Sequence, residues 1–222
     1  MRRSDGATRM SEIPARIEPS LATLAAHPPT HGEWAYEIKF DGYRMLVRIE
    51  NGDVRLISRN GLDWTAKMPH LRDALATLSV DNAWLDGEAV VLDESGRPDF
   101  NALQNAFDRR SRTTITLFLF DLLWLDGIDR RQEPLFTRRR LLRELLEVVH
   151  SPLIRFSESF EEDPARLLAA AREMKLEGIV GKRCDSAYRS GRNRDWIKAE
   201  VREAPRIRDR RCRRWVISAQ CV

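Results

Sequence analysis

Hydrophobic and polar positions alternate along much of the chain, which predicts a series of short strands. Strand-like runs follow one another at Glu33–Phe40, Tyr43–Glu50 and Val54–Ser58. The dipeptides between them, Asp41-Gly42 and Asn51-Gly52, are both strong hairpin signals. This spacing therefore predicts two successive hairpins.

Helical periodicity enters after the third strand and then alternates with strands. The predicted helices are Met68–Leu78, Phe100–Phe107, Thr137–Val149 with Thr137 as N-cap, and a helix from Asp163-Pro164 to about Lys175. The further predicted strands are Ala83–Leu92 with a turn at Asp86-Gly87, Thr114–Leu125, Gly178–Arg183 and Trp196–Ala199. Antiparallel hairpins with interspersed helices favour the α+β class over a doubly wound parallel sheet.

The chain of 222 residues suits one domain flanked by two segments of different character. Residues 1–31 are rich in Pro and Ala and are predicted to form an N-terminal arm. Residues 32–200 form the predicted domain. Residues 201–222 carry seven Arg without a convincing period, so we expect a tail rather than a domain.

Composition excludes several classes of protein. With 42% hydrophobic and 32% charged residues, the chain is typical of a globular protein and not of a disordered or membrane protein. The most apolar run, Leu117 to Leu125, is broken by Asp121 and is too short to span a bilayer. Three Cys without a Cys-x-x-Cys pair argue against a disulfide framework or a zinc site. No secretory signal is visible, so the expected compartment is the cytoplasm.

Lysine is scarce in this sequence, because 33 of the 38 basic residues are Arg. An amine can lose its proton, whereas a guanidinium stays charged in proteins, so each Lys is a candidate for chemistry that Arg cannot perform. In Glu37-Ile-Lys-Phe-Asp-Gly-Tyr-Arg44, Lys39 ends a predicted strand and Arg44 follows the turn. A neighbouring cation favours a neutral, nucleophilic amine. The alternative is an ordinary surface Lys on a hairpin.

Two further motifs have both a structural and a functional interpretation. In Leu85-Asp-Gly-Glu-Ala-Val-Val91, Glu88 enters an apolar strand, either as a ligand for a cation or as an exposed edge residue. In the aromatic strand Phe118–Gly127, most side chains are expected in the core. One aromatic ring facing a pocket could instead stack on a base, an interaction worth roughly 1–3 kcal/mol.

The remaining lysines of interest lie in two short strand motifs. One is Glu177-Gly-Ile-Val-Gly-Lys-Arg183 and the other is Asp195-Trp-Ile-Lys-Ala-Glu200. The ordered series of these five motifs resembles the covalent nucleotidyltransferases, namely ATP-dependent DNA ligases, RNA ligases and mRNA capping enzymes. In detail it is most similar to the ATP-dependent ligase domain of bacterial ligase D, an end-joining repair ligase. The resemblance covers about residues 13–200 and implies the nucleotidyltransferase (ATP-grasp-like) fold.

The resemblance implies a role for each motif residue in handling the nucleotide. Lys39 would attack the α-phosphate of ATP and carry AMP covalently. Glu37 and Phe120 would line the adenine pocket, with Phe120 stacked on the base. Arg44 and Arg59 would contact the nucleotide or the nicked DNA end.

The same resemblance implies a phosphate-binding and metal-binding side to the site. Glu88 would hold the ribose and help to place a metal ion, and Glu177 would be a metal ligand. Lys182 and Lys198 would neutralise phosphate charge during transfer. Carboxylates together with phosphate oxygens suit Mg²⁺ or Mn²⁺. The implied partners are nicked or broken double-stranded DNA in a bacterial nucleoid, end-joining repair proteins or a separate OB-fold chain, and no membrane.

Two departures from the family pattern qualify these expectations. The last motif usually has the form Lys-x-Lys, but Glu200 occupies the second Lys position. In the family an OB-fold domain follows this motif, and we expect residues 201–222 not to form one, so we expect a truncated enzyme that seals nicks weakly. The alternatives are a catalytically impaired nucleotide-binding or DNA-binding remnant, and an RNA ligase or capping-type nucleotidyltransferase.

The net charge of +4 belongs to the tail and not to the predicted domain. The tail has seven Arg against two acidic residues, which leaves residues 1–200 close to neutral. The tail's Arg cluster either grips DNA phosphates or has no function. The high isoelectric point is therefore no evidence for DNA binding by the domain.

Overall fold

The computed structural model describes residues 12–29, 31–107 and 113–201. Within these ranges the strands are β1 (Ser20–Leu24), β2 (Trp34–Ile38), β3 (Tyr43–Glu50), β4 (Asp53–Ser58), β5 (Asn82–Val91), β6 (Ile115–Leu125), β7 (Ile128–Asp129), β8 (Ile154–Phe156), β9 (Ser159–Phe160), β10 (Gly178–Arg183) and β11 (Gly191–Glu200). The α-helices are α1 (Pro69–Leu75), α2 (Phe100–Asn105), α3 (Leu135–Leu146) and α4 (Pro164–Glu173). A short 3₁₀ helix at Thr65–Lys67 precedes α1.

The strands form two sheets. The large sheet has the order β4-β3-β5-β6-β7, with β8 pairing with β6, and the small sheet has the order β1-β11-β10-β2-β9. Neighbouring strands are antiparallel except for β1 with β11 and β6 with β8. The predicted α+β class, with mostly antiparallel sheets and flanking helices, is confirmed.

Three hydrophobic clusters hold the layers together. The first fills the space between the large sheet and the helices α1 to α3, where Met45 and Val47 meet Leu71 and Leu142. The second joins the two sheets through large aromatic side chains, among them Trp84, Phe120, Trp124, Tyr188 and Trp196. The third packs α4 against the outer face of the small sheet. Because side chains alternate across a strand, β3 and β6 feed two clusters at once.

The helices lie where the periodicity predicts them, with one correction at a helix start. Asp163 caps α4 as predicted, because its carboxylate accepts from the N–H groups of Ala165 and Arg166. Helix α3, however, begins at Leu135, so the predicted N-cap Thr137 is wrong. The Thr137 N–H already donates to the carbonyl of Pro134, which places Thr137 inside the first turn.

Only one of the three predicted turns joins a hairpin. Asn51 and Gly52, both with positive φ, connect β3 to β4, as the hairpin signal requires. Asp41-Gly42 instead carries the chain from the small sheet to the large one. Asp86-Gly87 lies within the continuous strand β5, so the predicted turn there is wrong.

These two dipeptides contain glycine for a reason other than turning. A Cβ on Gly42 would lie 2.3 Å from the carbonyl oxygen of Ala89, and one on Gly87 would lie 2.6 Å from that of Phe118. Both glycines therefore permit close backbone approach.

The N-terminal segment contributes a strand to the small sheet. The predicted arm contains β1, which pairs with β11 and extends the small sheet. The predicted tail lies outside the described residues apart from Val201. None of the helices in the described ranges is long and apolar enough to cross a membrane.

Candidate active site

A cavity of about 230 Å³ opens between the two sheets. It is lined by all eight residues that the sequence predicts to bind the nucleotide: Glu37, Lys39, Arg44, Arg59, Glu88, Phe120, Lys182 and Lys198. The ninth predicted site residue, Glu177, contacts Lys39 directly. Motifs separated by up to 160 residues are thus brought to one place.

Strand register explains how the two sheets supply these side chains. In the small sheet, Glu37 of β2, Val180 of β10 and Lys198 of β11 stand side by side on neighbouring strands. In the large sheet, Arg44 of β3 stands opposite Glu88 of β5. The two rows line the same cavity from opposite sides.

Lys39 extends the pairing of β2 by one residue. Its N–H donates to the carbonyl of Gly178 at 3.0 Å, and its side chain is 16% exposed. Its Nζ forms ion pairs with Glu177 and, at 3.9 Å, with Oε1 of Glu200. The sequence predicts Arg44 as the neighbour of Lys39 across a hairpin. Arg44 lies instead on the large sheet, so this hairpin prediction is wrong. Carboxylates therefore hold the Lys39 amine at the cavity wall.

Glu37 is a buried carboxylate with three donors around it. Nη1 of Arg139 donates to its Oε1 at 2.8 Å, and Oγ of Ser157 donates to its Oε2 at 2.8 Å. Nζ of Lys182 lies 2.6 Å from Oε1. This cluster ties β2 and β10 to α3 and to the segment between β8 and β9, and it fixes the inner end of the cavity.

Lys182 is the most deeply buried cation of the cavity lining. Its Nζ contacts the ring faces of Phe120 at 4.0 Å and Trp196 at 4.4 Å. It also forms an ion pair with Glu37 at 2.6 Å. Burial lowers the pKa of Lys182 to about 8, although the Glu37 carboxylate opposes this shift. A buried ammonium with unused N–H groups suits an anionic ligand.

Arg44 is held by a two-point ion pair. Its Nε and Nη2 donate to the two oxygens of Asp86 at 2.6 and 2.7 Å, and Tyr188 donates its hydroxyl to the same carboxylate. Burial disfavours the charged guanidinium, but Asp86 outweighs it and raises the pKa of Arg44. The guanidinium also lies 4.3 Å from the centre of the Phe120 ring. Arg44 is therefore rigidly placed and permanently charged.

The ring of Phe120 packs against two cationic side chains that also line the cavity. Besides Arg44 and Lys182, its ring contacts Trp196 edge-to-face at 6.0 Å. Its carbonyl accepts from Arg139. The ring is 5% exposed, so a base that stacks on it must insert beside these cations.

Glu88 and Glu177 are the two carboxylates that the family resemblance implies as metal ligands. Burial raises the pKa of Glu88 to about 7, against the opposing effect of Arg44. Glu177 is engaged with Lys39. In the described ranges no group of three or more His, Cys, Asp or Glu is arranged to hold a metal ion. Carboxylate oxygens fit a hard cation such as Mg²⁺, but here they need additional oxygens from a ligand or water.

Arg59 and Lys198 line the cavity, and Glu200 lies beside Lys198. The exposed Arg59 is anchored through its N–H, which donates to the carbonyl of Arg44. Nζ of Lys198 lies 2.7 Å from Oε1 of Glu200, and this contact lowers the pKa of Glu200. Glu200 thus points toward the lysines of the cavity.

Arg139 and Asp86 support the site but were not predicted from the sequence. Arg138 and Arg139 follow Leu135 by three and four residues on α3, so they occupy the helix face that Leu142 continues. A charged residue at a helical position that faces the core is the sequence signal that could have identified Arg139. Asp86 gave a similar signal, as an acid within an apolar strand.

Comparisons with known proteins agree with this geometry. The family model for the ATP dependent DNA ligase domain matches residues 19–199. The multifunctional non-homologous end joining protein LigD of Pseudomonas aeruginosa is 54% identical over 196 residues, which cover 88% of this chain and 23% of that protein. The LigD protein of Mycobacterium tuberculosis is 41% identical over 79% of this chain and 23% of its own length.

Solved structures show the same relationship. The ligase domain of M. tuberculosis LigD matches with a TM-score of 0.72 and 40% identity, over 82% of this chain and 60% of that one. A mycobacterial DNA ligase D structure complexed with ATP gives the same values. The chain thus spans about a quarter of the full LigD proteins. From the motifs, the two-sheet cavity and a family match over residues 19–199, we conclude that this chain belongs to the ATP-dependent DNA ligase domain family.

Proposed function

We propose that this chain is a lysine adenylyltransferase, the part of a DNA ligase that takes AMP from ATP. The observation that carries this proposal is the position of Lys39, whose amine lines the cavity between the sheets. A lysine amine can form a phosphoramidate with the α-phosphorus of ATP. Of the three lysines in the lining, we assign this role to Lys39, because it stands in the Lys-x-Asp-Gly motif.

The charge of the lining supports an anionic substrate. Six cationic side chains line the cavity together with two carboxylates, Glu37 and Glu88, while Glu177 and Glu200 pair with lining lysines from beside it. The cations are Lys39, Arg44, Arg59, Lys182, Arg192 and Lys198. Phosphoryl transfer depends mainly on positioning and charge stabilisation, which such a lining supplies.

The proposed step forms one bond and breaks one. The lone pair of the neutral Lys39 amine forms an N–P bond to the α-phosphorus, and the bond from that phosphorus to the bridging oxygen breaks. Pyrophosphate leaves with the electron pair of that bond, and the attacking nitrogen passes one proton to water. Lys182 and Lys198 would neutralise the developing phosphate charge.

The other predicted residues would bind the rest of the nucleotide. Glu37 and Phe120 would line the adenine pocket. Arg44 and Arg59 would contact the nucleotide or the DNA end. Glu88, which would also hold the ribose, and Glu177 would hold Mg²⁺ or Mn²⁺, which would polarise the phosphate oxygens.

The proposed substrate of the second stage is nicked or broken DNA in a bacterial cell. AMP would pass from Lys39 to a 5′-phosphate, and a 3′-hydroxyl would then displace AMP to seal the strand. This assignment is supported by the LigD relatives, which are named as end-joining proteins. We expect additional domains or chains to assist this stage.

A labelling experiment tests the first stage. The protein is incubated with α-labelled ATP and Mg²⁺ or Mn²⁺, and label on the protein is measured after denaturing electrophoresis. We expect label on the wild type and none on the Lys39→Ala variant. Lys67→Ala is the matched control, because Lys67 is exposed and packs on Trp64 away from the cavity.

Further comparisons distinguish this proposal from the alternative functions. Label on Lys39→Ala equal to that on the wild type would exclude Lys39 as the nucleophile. Stronger labelling by GTP than by ATP would favour a capping-type enzyme. Sealing of nicked RNA in preference to nicked DNA would favour an RNA ligase.

A further inference from the structure

Glu200 occupies the position at which the family pattern has a second lysine, and its carboxylate contacts two lysines that line the cavity. Its Oε1 lies 2.7 Å from Nζ of Lys198 and 3.9 Å from Nζ of Lys39. Gly178 stands opposite Glu200 in the sheet, and its carbonyl accepts from the Lys39 N–H. The backbone thus fixes Glu200 beside both amines.

The two lysines that Glu200 approaches, Lys39 and Lys198, are both assigned to phosphate chemistry. Nζ of Lys39 also pairs with Glu177, so two carboxylates bracket it. Lys198 has Glu200 as its ion-pair partner within the described part of the chain. A phosphate group that approaches either amine meets a carboxylate already in place.

We propose that Glu200 is an affinity-setting residue that competes with the phosphates of ATP for Lys198 and Lys39. This inference rests on the proposed adenylyltransferase function and adds a determinant of which ligands the cavity prefers. The Glu200 carboxylate weakens the binding of a ligand more when the phosphates of that ligand carry more negative charge. Adenosine, which has no phosphate, is unaffected.

The size of the effect follows from the exposure of the pair. The side chains of Lys198 and Glu200 are 31% and 36% exposed, so water screens the interaction in part. Close charge pairs that are partly desolvated still affect binding strongly, because like charges in contact cost affinity. We expect about tenfold tighter ATP binding when the Glu200 charge is removed, which corresponds to about 1.4 kcal/mol.

Calorimetric titration of the full chain tests the inference. Wild type, Glu200→Gln and Glu200→Lys are titrated with ATP, AMP and adenosine in the presence of a chelator, so that no divalent cation intervenes. We expect ATP affinity to rise about tenfold in Glu200→Gln and further in Glu200→Lys. AMP affinity should rise less, and adenosine affinity should stay within twofold.

A matched control variant separates the effect of the position of Glu200 from the effect of the protein's net charge. Glu144→Gln removes the same charge from an exposed pair with Arg140 on α3, and it should leave all three affinities unchanged. Equal ATP affinity in wild type and Glu200→Gln would overturn the inference and leave the labelling of Lys39 intact. Absence of ATP binding by every variant would overturn the inference together with the proposed function.

Discussion

Arg138 of α3 and Asp121 of β6 form an ion pair whose two side chains are both fully buried. Nε and Nη2 of Arg138 donate to the two carboxylate oxygens at 2.8 and 3.0 Å. Nη1 donates to the carbonyls of Glu133 and Ser186. One guanidinium thus fastens the helix to the large sheet and to the segment before β11.

The first prediction is that Arg138→Met destabilises the protein by about 3–5 kcal/mol, because Asp121 is then left buried without a cation. Urea unfolding followed by circular dichroism measures the loss. The double variant Arg138→Met, Asp121→Leu should be more stable than Arg138→Met alone, since it removes the stranded charge. Arg140→Met is the control, as its pair with Glu144 is exposed and contributes less than about 1 kcal/mol. A double variant less stable than the single one would contradict this account.

Of the Asp-Gly and Asn-Gly dipeptides in the sequence, the three that predict turns next to strands show how far local sequence predicts this fold. All three carry the hairpin signal, yet only Asn51-Gly52 has the positive φ angles that a hairpin uses. At Gly42 and Gly87 the missing side chain makes room for a neighbouring backbone. That neighbour is more than 25 residues away in sequence, so no local pattern distinguishes the two uses.

Some residues of the site were predicted from the sequence and others were not, and separation along the chain is again the reason. Lys39 stands out in a short local motif and the family resemblance implies Phe120, and both line one cavity. Their supports, Arg139 for Glu37 and Asp86 for Arg44, depend on pairs that are distant in sequence. The orientation of Glu200 follows from the β10–β11 register, which the sequence does not specify.

The second prediction concerns Gly87 in β5. In Gly87→Ala the new Cβ would lie 2.6 Å from the Phe118 carbonyl oxygen and 2.9 Å from Cδ2 of Leu119. Strands β5 and β6 must separate, so we expect a loss of about 3 kcal/mol in the free energy of unfolding. Gly52→Ala has only the backbone strain of positive φ, about 1 kcal/mol, because no atom lies within 4 Å of its Cβ. Equal losses in the two variants would refute the close-approach explanation.

The third prediction is a pH dependence of stability that originates at Glu88. Burial raises the pKa of this carboxyl from 4.5 to about 7, and the charges around it are those of Arg44, Asp86, Lys39 and Glu177. Between these pH values the folded state holds a proton that the unfolded state has released. Stability therefore falls as pH rises from about 4.5 to about 7, and it is constant on either side of this range.

The variant Glu88→Gln isolates this effect, since it has no proton to lose. The difference in free energy of unfolding between wild type and Glu88→Gln should decrease by about 2 kcal/mol from pH 4.5 to pH 7.5, given about 1.4 kcal/mol per pKa unit and partial exposure. Urea unfolding at five pH values with a chelator present measures it. A difference that is flat across this range would show that Glu88 titrates normally.

The last prediction concerns Phe120 and distinguishes two roles for its ring. If the ring stacks on adenine, Phe120→Leu should weaken ATP and adenosine binding equally, by about tenfold, because stacking contributes roughly 1–3 kcal/mol per base. If the ring only braces Arg44 and Lys182, whose charges lie 4.3 and 4.0 Å from its centre, ATP binding should fall more than adenosine binding. We expect the equal loss, measured by calorimetric titration. Phe100→Leu is the control, since Phe100 packs on Tyr43 in the first hydrophobic cluster and does not line the cavity, and it should bind both ligands as the wild type does.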